Sequence, residues 1–204
     1  MPPLRVLRIP RKVLLYLGIV LGILLLLTAL CTVGIIKALN SARAASTQAM
    51  LNSLSGALAV YHQRWDDYPP STLKELGDPD PNAINTGIEA LVACLSSRKR
   101  GGVLFQADDR LENVDQDSAS RNVTDWFFGN NELREYMDYF DHVILYLHPR
   151  DLPIAKQAQR RYLFLRGGEE WATPVEAGKP GSFELRSVGH DGKPGTSDDL
   201  HSDP

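Results

Sequence analysis

The stretch SVGHDGKPGTSDDL, residues 187–200, sets Asp191, Asp198 and Asp199 among Gly189, Gly192, Gly195 and Pro194. Carboxylates brought together on a tight turn repel one another unless a cation lies between them. Gly192, Pro194 and Gly195 allow the chain to fold back so that Asp191 and Asp199 face one point. Calcium suits such a set, because it takes six to eight oxygens from carboxylates and backbone carbonyls in forgiving geometry; magnesium demands a near-ideal octahedron. The D-x-[DN]-x-[DN]-G spacing of an EF-hand is missing. The plain alternative is an exposed Asp/Gly turn that holds no ion.

Other chemistry is sparse. His62, His142, His148, His190 and His201 are scattered, with no HExxH, GxSxG or phosphate-cradling glycine loop. His148 and His190 are the two that a sheet could bring near each other, yet no base is paired with a nucleophile, so no enzyme is expected. Cys31 and Cys94 are expected to be two small buried hydrophobes, with no disulfide and no CxxC metal site.

Charge divides the chain. No acidic residue precedes Asp66, whereas Arg5, Arg8, Arg11, Lys12, Lys37, Arg43 and Arg64 do. Residues 66–204 carry all 25 acids and 15 of the 22 bases, a net of −10. So acidic a body is a poor nucleic-acid partner, and Arg98-Lys99-Arg100 reads as the solvated end of a helix. Val13 to Ile36 is an uncharged apolar run, long enough to cross a bilayer and too long for a signal-peptide core. Basic residues concentrate before it, which places residues 1–12 in the cytoplasm and residues 37–204 outside.

With no proline between Pro10 and Pro69, one helix is expected from about Val13 to Trp65. Its second half, within residues 37–68, carries Leu51, Leu54, Leu58, Tyr61 and Trp65 as a single apolar stripe. Residues 69–204 read as a globular α+β domain. Helical segments are expected at Ser71–Leu76, with a capped start, at Asn85–Ser97, and at Asn131–Phe140. Residues 98–125 read as a long polar surface loop. Strands are expected at 143–148, 162–166 and 183–189, the last with Phe183, Leu185 and Ser187 inward and Glu184 and Arg186 outward. A small antiparallel sheet packed on the helix would bury the Leu51–Trp65 stripe.

This order of parts resembles a type IV pilin-like protein. ALAVYHQRWDDYPP (57–70), TGIEALVACL (86–95) and above all SFELRSVGHDGKPGTSDDL (182–200) are similar to segments of the major pseudopilin of type II secretion, general secretion pathway protein G, and DYFDHVILYLH (138–148) falls where that family has Asp-Pro-Trp-Gly-Asn, of which it keeps only the first aspartate and an aromatic. The resemblance implies the pilin-like fold, an inner-membrane anchor with a periplasmic domain, and a structural role beside other pseudopilin subunits or secretion machinery, with no small-molecule substrate. It also implies a calcium loop, with side-chain oxygens from Asp191, Asp198 or Asp199 and carbonyls from Val188 and Lys193. The family's prepilin signature is not retained: Arg11 stands at its glycine, Lys12 at its phenylalanine and Tyr16 at its glutamate. A membrane-anchored, calcium-dependent binding domain that never polymerises is therefore the alternative.

Overall fold

The structure is a computed structural model that describes residues 11–77, 82, 84–96, 110–119, 131–152, 160–163, 170–173 and 181–202. The basic leader up to Pro10, Arg98–Arg100 and the expected strand residues beyond Leu163 lie outside the described residues.

Helix α1 runs from Arg11 to Trp65. Two compact units divide at Ala42. In the first, the apolar windows of α1 reach a mean hydropathy of 2.8 with nothing buried, so by length and composition this stretch fits a single-pass membrane anchor. The second unit, Arg43–Pro204, holds the core. α1 stops as the sequence implies: Asp66 turns to positive φ and its N–H bonds to the His62 carbonyl, with Pro69 and Pro70 just beyond.

The stripe on α1 does what its spacing demands. Leu51, Leu54, Leu58 and Tyr61 are fully buried in one cluster with Ile88, Leu91, Val143, Tyr146 and Leu185. Trp65 departs from expectation and remains exposed, because the core ends one turn earlier at Tyr61. A 3-10 turn, Leu73–Leu76, follows. Its expected cap is absent: Thr72 makes no capping bond, and the Ser71 hydroxyl accepts instead from the His148 N–H at 2.7 Å.

Helix α2, Thr86–Ser96, is buried on every side from Gly87 onward. It packs on β2 (Glu135–Tyr136) and β3 (Leu145–Leu147). Gly87 makes that crossing possible, since a Cβ there would overlap the Tyr146 carbonyl. β3 pairs antiparallel with β6 (Glu184–Ser187), which pairs with β7 (Leu200–His201), giving the order β3-β6-β7. β1 (Leu111–Glu112) pairs with β2, and β4 (Arg160–Leu163) with β5 (Glu170–Thr173). The architecture is thus α+β, a long N-terminal helix against small antiparallel sheets.

Two expectations fail together. Asn131–Phe140 is not a helix but the strand β2 with flanking bridges, Ser118 to Glu132 and Met137 to Val143. Its partner comes from residues expected to be surface loop, where Leu111, Val114 and Ala119 are buried. Each segment satisfies the other's backbone, a pairing that neither shows alone. Arg186 is a further correction. It lies buried on the central strand β6, held by Glu184 and Asp199, instead of facing solvent.

Candidate functional site

The loop after β6 is anchored before it turns. Asp138, fully buried, accepts hydrogen bonds from the N–H groups of Phe140 (2.8 Å) and His142 (2.9 Å) through Oδ1, and from the Ser187 hydroxyl through Oδ2. Burial pushes its pKa up, against the pull of the bonds from Ser187, His142 and Phe140. The His142 ring then meets the Gly189 carbonyl through Nδ1 at 2.8 Å, and it closes over Gly192, leaving no room there for a side chain. His190 stands edge-on to Phe140, whereas His148 donates to Asp67, so those two histidines serve different neighbours.

Four of the five residues expected to bind an ion converge on one atom. The Thr196 hydroxyl lies 3.2 Å from Asp191 Oδ1, 2.6 Å from Asp198 Oδ1, 3.4 Å from Asp199 Oδ1 and 3.2 Å from the Lys193 carbonyl. Val188, the fifth, is fully buried at the head of the loop. Backbone N–H groups brace the carboxylates: Asp191 N–H donates to Asp198, Lys193 N–H to Asp191, and Gly195 N–H to Asp199. The Thr196 bond holds the Asp198 carboxyl below the usual range. The Asp199 side chain is 4% exposed and lies 3.7 Å from the Arg186 guanidinium, itself 5% exposed. Three carboxylates against one guanidinium leave a local charge of −2 when all are ionised. Thr196 and Arg186 are the members of this site that sequence reasoning missed, since neither is acidic.

A second acidic cluster was not legible in the sequence. Glu89 of α2, Asp115 and Glu135 of β2 each offer an oxygen within 4.8 Å of the others, a tighter grouping than the terminal aspartates form. A proton or a cation suits such spacing. Burial, then the Asp115 charge, pushes the Glu135 pKa up to about 8, against hydrogen bonds from Val114 N–H and Asn85. A carboxyl whose pKa rises from 4.5 on folding binds its proton more tightly in the folded chain. Its contribution is complete below pH 4.5 and fades as pH climbs towards 8. Unfolding free energies of the wild-type chain from urea titrations should therefore fall across that window by at most about 1.4 kcal/mol per pH unit for this one proton. The Glu135→Gln chain should fall less steeply; equal slopes would contradict the assignment.

Comparison with protein-family models, with characterised proteins and with solved structures finds no match to this chain.

Proposed function

We propose that the chain is a structural, pseudopilin-like subunit of a type II secretion pseudopilus, anchored in the inner membrane by Val13–Ile36, with its second unit in the periplasm and no catalytic role. The observation that carries this reading is the closing loop. Oxygens of Asp191, Asp198, Asp199 and Lys193 gather at the Thr196 hydroxyl at the edge of the sheet that packs on α1. The exposed apolar stretch of α1 and the buried Leu51–Tyr61 stripe support it.

The donor set fits calcium. All the groups are hard oxygens, and a hydroxyl carries one proton, which satisfies one of those oxygens at a time. A divalent cation would neutralise the local −2 charge. Asp191, Asp198 and Asp199, with the Lys193 and Val188 carbonyls, would hold it; the ion would supply charge neutralisation and order to the loop. This chain's own residues do the rest: Asp138, Ser187 and His142 fix the loop's start, and Gln48 of α1 donates to the His201 carbonyl at its end.

Calcium at a hundredfold excess over its Kd should stabilise the chain by about 2.7 kcal/mol, reversed by chelator. Asp191→Asn is the clean test, since Asp191 is exposed and stabilises no buried charge. It should abolish most of the calcium-dependent gain while leaving the chelated chain at least as stable, because one of three crowded carboxylates loses its charge. Asp199→Ala would also strand Arg186 and so lower stability with or without the ion. A wild-type melting temperature indifferent to chelator would remove calcium from the reading.

The alternative, a calcium-dependent binding domain that does not polymerise, is favoured by Arg11, Lys12 and Tyr16 at the prepilin signature positions. Mass spectrometry of the N-terminus separates the two. A methylated terminus near Lys12 supports pilin-type maturation, and an uncut start at Met1 or Pro2 supports the alternative.

A further inference from the structure

Where α1 ends, a cleft of about 270 Å³ is lined by Tyr61, Trp65, Asp67, Tyr68, Glu75 and Arg150, together with Pro70. Trp65 is 45% exposed; apart from Val60 it is the one large apolar side chain so exposed among the described residues of the second unit. Keeping an indole in water forgoes burial that would stabilise the fold, so an exposed tryptophan beside a concavity marks a contact surface.

The polar side of the cleft is anionic. Asp67 Oδ1 accepts from Tyr68 N–H at 2.9 Å and from His148 Nε2 at 2.7 Å. The other ring nitrogen of His148 accepts from the Arg150 N–H, which puts the imidazole proton on Nε2, facing Asp67. Although partial burial works to raise it, these bonds hold the Asp67 carboxyl below its ordinary range. Arg150 spans the carboxylates, 2.9 Å from Glu75 and 3.8 Å from Asp67, with all three side chains about half exposed. Two carboxylates and one guanidinium leave one negative charge; the guanidinium's ion pairs with Glu75 and Asp67 are surface contacts, weak and exchangeable, while its Nε also donates to His148 Nδ1 at 3.2 Å.

We infer that this cleft receives a lysine side chain of a partner protein, its ammonium seated at Asp67 and Glu75 in place of Arg150 and its stem laid along Trp65. Charge sets the sign of the guest, and the aromatic wall favours a cation on an apolar stem. Half-exposed walls enclose too little of a free small molecule to bind it tightly, because small-ligand sites bury most of their ligand. A side chain presented on a larger surface needs no such enclosure.

The full chain in detergent, titrated with n-butylammonium chloride at constant ionic strength, tests this. The Trp65 indole N–H resonance, identified with Trp65→Phe, should shift saturably with a Kd on the order of millimolar. The neutral control n-butanol should produce no saturable shift. Arg150→Gln removes the internal competitor and should tighten binding roughly three- to tenfold, whereas Glu75→Gln should weaken it by a similar factor. An equal response to butanol, a shift that never saturates, or an Arg150→Gln affinity no better than wild type overturns the proposal. A merely structural Arg150 would give the last of these.

Discussion

Replacing Asp138 by alanine should lower the unfolding free energy of the second unit by about 3–4 kcal/mol, from three stranded donors at 1–3 kcal/mol each less the relief of a buried carboxylate. Those donors are the N–H groups of Phe140 and His142 and the Ser187 hydroxyl, and Asp138 itself is fully buried. The loss also reaches the terminal loop, because the His142 ring that grips Gly189 is oriented through this turn. Asp138→Asn keeps one acceptor oxygen and should cost roughly half as much; Ser187→Ala, which removes one partner, should cost about 1 kcal/mol. Urea denaturation followed by near-UV circular dichroism in detergent reads all three. An alanine variant within about 1 kcal/mol of wild type would mean that water replaces the carboxylate and that the turn is not a keystone.

Leu58→Ala should be as damaging, at about 3–5 kcal/mol, through lost transfer energy plus the cavity left behind. Leu58 is fully buried in the cluster that joins α1 to α2, β3 and β6, and a helix with a backbone fixed by its own hydrogen bonds cannot collapse into the gap. The control stands two residues away. Val60 is 40% exposed on the same helix, so Val60→Ala should change stability by less than about 0.5 kcal/mol. Similar losses at both positions would mean that the stripe does not face the core as described.

These two sites differ in how far the sequence announced them. Leu58 belongs to a spacing that any helix converts into a face, so its burial could be read from residues 51–61 alone. Asp138 could be singled out only by resemblance. Its role requires Ser187, 49 residues later, and the intervening chain gives no local sign of that meeting.

Features that depend on near neighbours were already written in the local order of residues. These are the apolar run of α1, its stripe, the stop before Pro69, the short helix α2, and the strands β3 and β6. It also marked the terminal carboxylates, since three aspartates among glycines must turn tightly. Tertiary structure alone decided the rest. Leu111–Glu112 and Glu135–Tyr136 became paired strands because each offered the other the backbone partners it lacked. Arg186 went inside because the central strand placed it between Glu184 and Asp199. Glu89, Asp115 and Glu135 met because a helix, a turn and a strand cross at one point, and Trp65 kept its exposure because the core ended at Tyr61. Local periodicity specifies which face of an element is apolar; which charges meet across elements depends on contacts between residues far apart in the chain, and no short window of sequence contains them.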